Sequence, residues 1–497
     1  MTAQAVENRE HAVVIGLEVH VQLETSTKIF CGCSTTAADD EEPNTRTCPV
    51  CLGLPGALPV LNEGAVEAAV KIGKALNADI PERTTFHRKN YYYPDLPKNF
   101  QLTQYDAPIC QQGSLEIAVE DTHREIGITR AHLEEDPGSL QHKGGSIDTA
   151  EATLINYNRA GTPLVEIVTE PDFRSPQETR AFLAKLEGVL EYLGVFDATR
   201  DGSLRVDANI SLVDAEDVDD EDGSIPDDVL TDANRTEVKN ISSHKGAEKA
   251  LAYEVTRQKN AVRRGRVIET ETRHWDESRG ITVSMRSKES EADYRYFREA
   301  DLPPLEVAHW KDEISIPELP DARRERFTTE YGLGSEAASK LTSTKSVADF
   351  FEAVAESFDA ELAATWVADN LLGELNYRDM EITDVEGRLD EFERLIELVD
   401  GDQLTVKNAE EVVLRAMLDE GDDPETIIDR EGLGKADDDE ISGFVDEAIE
   451  ENPDAVEDYH NGEGGALNFL VGQVMQKSKG SADPGSVNEL LRSRLAE

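Results

Sequence analysis

Four of the five cysteines fall into two close pairs, Cys31-x-Cys33 and, after fourteen intervening residues, Cys48-x-x-Cys51. Two thiolate pairs joined by a loop suit a tetrahedral zinc ion. Four sulfur ligands leave no coordination position open for a substrate, so the expected role is structural. Cys110 stands apart and reads as a lone buried thiol.

A second set of residues has the chemistry of a hard cation site. Glu18, His20 and Gln22 alternate with Leu17, Val19 and Val21, so they share one face of a strand. Arg205, Asp207, Asn209 and Ser211 share a face in the same way. The run 127–134 leads into Glu134-Glu135-Asp136, and Glu166 sits among Leu164, Val165, Ile167 and Val168. Carboxylates and a histidine aimed from several strands into one cleft suit Mg²⁺. Any one of them alone would be an ordinary outward-facing residue. Glu166 differs, because an acid in an apolar run needs a partner or a function. A third segment, His87 to Phe100, packs Arg88, Lys89 and Lys98 between Tyr91, Tyr92 and Tyr93; a second, Asp293 to Arg298, repeats the mixture. Cations beside stackable rings suit a nucleotide or an RNA end. The chain carries no G-x-x-x-x-G-K-[ST] loop, G-x-G-x-x-G, H-E-x-x-H or G-x-S-x-G motif.

Strands must position most of these residues. Alternation marks them at 12–24, 115–120, 127–134, 164–169, 204–212, 237–241 and 281–286. Helical spacing begins after Asn62, a candidate cap, and recurs from Pro176 to about Leu193 and from about Ala247 to Arg263. The acidic run at 213–234 reads as a solvated loop. Asp301–Leu305 (DLPPL) reads as a linker, and the sequence beyond it is helical by pattern. Near the C-terminus Leu467, Leu470, Val471, Val474 and Met475 form one stripe, and a last helix opens at Asp483-Pro484. The fold class expected is α+β, a strand-rich N-terminal part followed by helices.

The chain has 497 residues with 103 Asp and Glu against 50 Lys and Arg, a net charge of −53, and only 19 lysines to 31 arginines. The acids are spread along the chain. The preferred reading is a surface adapted to very high intracellular salt, where repulsion is screened over about 3 Å at 1 M. In such a cell the charge is no argument against a nucleic-acid partner. There is no signal-peptide layout and no apolar run near the roughly 20 residues of a membrane span. The expectation is a cytoplasmic protein with no membrane partner.

Taken together these segments resemble the GatB/GatE family of tRNA-dependent amidotransferase subunits, over nearly the whole chain. The resemblance rests on VIGLEVHVQLET at 14–25, CPVCLGLPGALPVLN at 48–62, KNYYYPDLPKNFQLTQYDAPI at 89–109, LEEDPG at 133–138, NRAGTPLVEIVTEPD at 158–172, DGSLRVDANISL at 201–212, TEVKNISS at 236–243 and ALNFLVGQVMQKSKG at 466–480. It implies a catalytic cradle domain at 1–296, a helical domain at 297–405 and a YqeY-like tRNA-binding tail at 406–497. It implies ATP-dependent amidation of Asp-tRNA(Asn) or Glu-tRNA(Gln) through an acyl phosphate. Ammonia would come from a glutaminase, the amidase subunit, with a small subunit wrapping the pair into a heterotrimer. The site residues it implies are Glu18, His20, Glu134, Glu135, Glu166 and Asp207. Of these, Glu18, His20 and Glu135 would hold Mg²⁺, with or without Glu134. Asp207 would serve a second metal or the nucleotide, and Glu134, Glu135 and Glu166 would also line the ammonia path. Lys89, Arg205 and Asn209 are the candidates for holding ATP. Cys31, Cys33, Cys48 and Cys51 would hold zinc, and Lys477 and Lys479 would contact tRNA phosphates. The alternative is a zinc-bearing tRNA scaffold without activity. The chain departs from the family at the long acidic run 213–234 and at Val206, where a cysteine is common.

Overall fold

The structure, a computed structural model, describes residues 11–38, 40–120, 122–144, 150–200, 202–219, 224–285, 291–434, 438–461, 464–478 and 481–496. The chain divides into two compact units, Met1–Leu319 and Pro320–Glu497.

The strands of the first unit are β1 (His11–Gln22), β2 (Arg83–Thr84), β3 (His87–Asn90), β4 (Phe100–Thr103), β5 (Cys110–Val119), β6 (Thr122–Glu135), β7 (Ser139–Lys143), β8 (Ala152–Asn156), β9 (Pro163–Thr169), β10 (Leu204–Asp214), β11 (Thr236–Ile241), β12 (Glu271–Asp276), β13 (Ile281–Ser284), β14 (Phe297–Arg298) and β15 (Leu305–Glu306). Eleven form one sheet, in the order β13-β12-β11-β10-β1-β9-β6-β4-β3-β14, with β5 paired to β6. β1 lies in the middle. Its alternation splits cleanly: Ile15, Leu17, Val19 and Val21 are almost wholly buried, while Gly16, Glu18 and His20 take the other face.

Helices cover the apolar face. They are α1 (Glu63–Ala75), α2 (Pro176–Tyr192), α3 (Asp227–Asp232) and α4 (His244–Arg263). Val66, Val70 and Ile72 of α1, Phe182, Leu186 and Leu190 of α2 and Ala250 and Leu251 of α4 join the β1 residues in one core. Ser175 caps α2 by accepting from the Glu178 N–H, ahead of Pro176 at the first turn. Ser243 caps α4, which therefore starts three residues before the Ala247 expected. Asn62 stands at the cap position of α1, but its side chain makes no cap bond there. Its amide donates to the Thr27 carbonyl instead, at 2.9 Å, and ties the helix to the cysteine loop.

Two sequence readings are corrected here. Asp301–Leu305 is no linker: Leu302 and Val307 are buried in the core, and β15 pairs with β2. The first unit accordingly runs to Leu319. The acidic run is no purely solvated loop: Ile225, Val229, Leu230 and Ala233 pack with Val14 and Val213 in a small apolar cluster. The apolar residues that anchor it are outnumbered by acids, which hid them in the sequence.

Helix α4 also carries the most enclosed acid of the unit. Glu254 is fully buried and accepts from Arg257 at 2.8 Å, from Arg273 of β12 at 3.1 Å and from Thr282 of β13. Glu254→Ala leaves two guanidiniums without their counter-charge. The expected loss is about 3–5 kcal/mol in denaturant unfolding. A loss under about 1 kcal/mol would show that the network adds no more than a surface pair.

The second unit is helical. Phe327, Phe351, Trp366, Leu395, Val413, Met417 and Ile427 belong to one core, and Ile441, Val445, Leu470, Val474, Val487 and Leu491 to another. The division expected at 405 therefore falls inside the first of these cores, and the change of core comes after Leu433. The C-terminal stripe lies on Gly464–Lys477 as expected, and Asp483 caps the last helix, Pro484–Leu495.

Candidate functional site

Strand register brings the acids together. β1 pairs with β10 so that Glu18 faces Asp207 and His20 faces Arg205. On its other side His20 faces Glu166 of β9, and Glu166 faces His132 of β6. Opposed residues point to the same side of a sheet, and so do residues two apart. Glu134 therefore joins this face through His132.

Two carboxylate clusters result. In the first, ligand atoms of His20, Glu134 and Glu166 all lie within 4.8 Å of one another. His20 Nε2 is 3.4 Å from Glu166 and 3.9 Å from Glu134; His132 Nε2 is 3.6 Å from Glu166. Burial lowers the affinity of His20 for a proton, but its hydrogen bond to Glu166 and the charges of Glu166 and Glu134 outweigh that and raise its pKa to about 9. Burial pushes His132 down to about 4. Burial and the neighbouring Glu166 push Glu134 up to about 7. Glu166 is itself buried, yet His132, His20 and Lys89 hold it well below the usual carboxylate range. It carries the negative charge of the cluster. Glu134 Oε2 is buried and has no hydrogen-bond partner. An imidazole, two carboxylates and one orphaned oxygen fit a divalent cation.

In the second cluster ligand atoms of Glu18, Asp207 and Glu237 lie within 4.8 Å of one another. Lys239 Nζ sits 2.6 Å from Asp207 and 3.3 Å from Glu237, and Asn209 Nδ2 donates to Glu18 at 3.1 Å. Burial raises the Glu18 pKa, helped by Glu166 and Asp207. Lys239 stands where a divalent cation would otherwise gain attraction. Lys239→Met is expected to tighten Mn²⁺ binding here about tenfold, read by electron paramagnetic resonance, since a competing charge at such range is worth more than about 1 kcal/mol. Unchanged or weaker binding would show that the three acids are not a cation site.

The structure corrects the expected Mg²⁺ set. Glu135 is on the opposite face from Glu134, as neighbours in a strand must be. It accepts from Lys98 at 2.6 Å and from the Leu102 N–H at 2.8 Å. Glu134 and Glu166 take its place beside His20, and Glu18 belongs to the second cluster. Arg205 is committed to the fully buried Asp136 at 2.6 Å. Lys89 lies on the face of the first cluster: burial opposes its charge, but Glu134 and Glu166 raise its pKa. Its ammonium stands 5.1 Å from the Tyr294 ring centre, and Tyr296 stacks on Tyr105 at 4.1 Å. Two members escaped sequence reasoning. His132 shares a face with Glu134 by period two, which was a usable signal. Glu237 was met in the run TEVKNISS, but only the pairing of β11 with β10 brings it to Asp207.

The cysteine loop is assembled. Sulfur atoms of Cys31, Cys33, Cys48 and Cys51 lie within 4.8 Å of one another, with Cys48 and Cys51 3.9 Å apart. This spacing fits one tetrahedral zinc ion. A hydrogen bond from Cys31 leads the effects that lower the Cys51 pKa to about 5. Lys28 is fully buried, with its ammonium 2.8 Å from the Arg46 carbonyl and 3.8 Å from Cys51 Sγ. Among the described residues no carboxylate pairs with it, so thiolate charge is its nearest compensation. Cys110 is buried, as expected.

In the second unit Lys477 is held by Glu447 and Glu451, both at 3.0 Å. Its ammonium is therefore not free for a phosphate without breaking those pairs. Lys479 lies outside the described residues. Among the described residues no helix is long and apolar enough to cross a membrane.

Fold and site define an α+β protein that gathers acid clusters on one sheet face and joins that unit to a helical one. The family model of the GatB/GatE catalytic domain matches residues 13–312, and that of the GatB domain matches 349–495. The chain is 77% identical over 495 residues to the GatB-type subunit of the aspartyl/glutamyl-tRNA(Asn/Gln) amidotransferase of Natronomonas pharaonis, covering 100% of both chains. It is 75% identical to the same subunit of Haloquadratum walsbyi, again over 100% of both. To that of Methanospirillum hungatei it is 53% identical, over 97% of this chain and 98% of the other. The chain belongs to the GatB/GatE family.

Proposed function

We propose that this chain is the synthetic subunit of an aspartyl/glutamyl-tRNA(Asn/Gln) amidotransferase, working in the cytoplasm of a salt-adapted cell beside a glutaminase (amidase) subunit and a small third subunit. The observation that carries the reading is the pair of acid clusters side by side on one sheet face, in a chain whose family relatives bear that activity in their names.

The chemical problem is a side-chain carboxylate, which is a poor electrophile. Transfer of the ATP γ-phosphoryl group to it gives an acyl phosphate, and ammonia then displaces phosphate. Mg²⁺ at His20, Glu134 and Glu166, and a second ion at Glu18, Asp207 and Glu237, would supply charge neutralisation for the phosphates. The chain's own residues do the rest. Lys89 brings a fixed positive charge to the phosphate side of the first cluster. Glu166 keeps His20 and His132 in place by accepting from both sides. Glu135 and Lys98 line a cavity of about 220 Å³ between the cysteine loop and the sheet, which supports an ammonia route from that side. Zinc on the four cysteines would brace the loop that walls this cavity. Lys477 and Lys479 remain candidates for tRNA contact, Lys477 only with its two pairs opened.

The test is phosphate release by the chain reconstituted with its amidase and small partners, in high KCl with Mg²⁺ and ammonium. Asp-tRNA(Asn) and Glu-tRNA(Gln) are supplied in turn. Turnover that depends on charged tRNA is expected, with at least one of the two. Tight tRNA binding with no turnover on either would replace this reading with that of an inactive scaffold.

A further inference from the structure

A cavity of about 580 Å³ opens on the acid-bearing face of the sheet, one step along β1 from Glu18. Its floor is Gly16, Thr169 and Asn209, and its far wall is Leu230, Thr231 and Arg235, at the end of the acidic run. That volume is in the range of small-ligand sites. Glycine at position 16 keeps the floor open, and Thr169 Oγ1 fixes it by accepting from the Leu17 N–H at 2.9 Å. Asn209 Oδ1 is buried and has no hydrogen-bond partner, although its amide nitrogen is held by Glu18. The floor thus offers one free acceptor inside a largely apolar and uncharged surround.

We propose that this cavity receives the base and ribose of a purine nucleoside triphosphate, and that the acidic run 213–234 is the wall that completes it. The inference rests on the ATP reading of the site and adds where the nucleotide lies. β1 acts as a ruler. Gly16, Glu18 and His20 share one face at intervals of about 7 Å. A nucleotide seated at Gly16 runs its phosphate chain over the Glu18–Asp207–Glu237 cluster toward His20 and Glu166. The reverse orientation fails on charge: among the described residues Arg235 is the one cation lining the cavity, beside Asp227 and Glu18. Phosphates need the divalent ions and Lys239 and Lys89, all at the other end. Asn209 Oδ1 can accept from an exocyclic amine or a ribose hydroxyl. The wall stays put because Val229 and Leu230 are packed on Val14 and Val213.

The test titrates the reconstituted complex with MgATP and, separately, with magnesium tripolyphosphate, by calorimetry. Two variants narrow the cavity from opposite sides, Gly16→Val and Thr231→Glu. A Cβ at Gly16 meets nothing closer than Pro171 at 3.6 Å, so the strand accommodates it. Thr231 is exposed. Both variants should weaken ATP at least about tenfold and leave tripolyphosphate affinity and the unfolding transition unchanged. ATP affinity equal to wild type in both overturns the cavity assignment and leaves the proposed function standing. Equal weakening of ATP and tripolyphosphate also overturns it, because the base end would then not be what the variants touch. A wild-type complex that binds no ATP at all overturns the proposed function itself.

Discussion

Glu166→Gln is expected to lower charged-tRNA-dependent phosphate release about 10³-fold, the scale of losing several kcal/mol of charge stabilisation from a metal site. The substitution keeps size and shape and removes one charge. That charge is the one His20 and His132 share, at 3.4 and 3.6 Å. Glu134 is no substitute, since burial already holds it near neutrality at about 7. A glutamine there leaves an imidazole pair and a lone carboxyl, too little to hold a hard cation against water. Mn²⁺ binding read by paramagnetic resonance should fall with turnover. Glu135→Gln is the control. Its carboxylate faces Lys98 on the other side of the sheet, so it should spare the Mn²⁺ signal whatever it does to ammonia use. Turnover of Glu166→Gln within tenfold of wild type, or equal loss of Mn²⁺ in Glu135→Gln, would defeat the assignment.

The second large effect concerns the cysteine loop. Cys51→Ala is expected to release zinc and lower the melting transition of the first unit by about 6–10 °C, corresponding to roughly 3–5 kcal/mol. Part of that loss belongs to Lys28 and not to the metal. With the thiolates gone, a fully buried ammonium keeps only carbonyl partners. Adding Lys28→Met to Cys51→Ala should therefore recover about 1–2 kcal/mol, whereas Lys28→Met alone should destabilise. Calorimetry on the four proteins, with zinc content by mass spectrometry, gives the coupling. Strictly additive changes would show that Lys28 and the sulfur cluster do not compensate one another.

Much of this site could be read from sequence because its signals are local. Alternation in β1 separates Glu18 and His20 from the core without any knowledge of neighbours, and Cys31-x-Cys33 with Cys48-x-x-Cys51 announces itself by spacing. An acid among Leu164, Val165, Ile167 and Val168 is anomalous on its own terms. What escaped is pairwise. Glu237 reaches Asp207 only through the β10–β11 pairing, and Lys28 meets Cys51 only once the loop is folded. Glu134 and Glu135 were both credible until the pleat assigned them to opposite faces, a choice that His132 two residues before could have settled. Local composition also misled: two prolines disguised the strand at Leu305–Glu306, and a crowd of acids disguised Val229 and Leu230.

β1 is both spine and rail. Its buried side chains anchor three helices, and its other side holds a member of each acid cluster. Nothing in that arrangement can swing: to separate His20 from Glu166, or Glu18 from Asp207, the sheet has to unzip at its centre. This catalytic face is thus preset before anything arrives, and heat should silence it abruptly instead of by degrees. Timing must then come from traffic, from which tRNA, nucleotide or ammonia is present, and activity itself becomes a sensitive gauge of whether the cradle is folded.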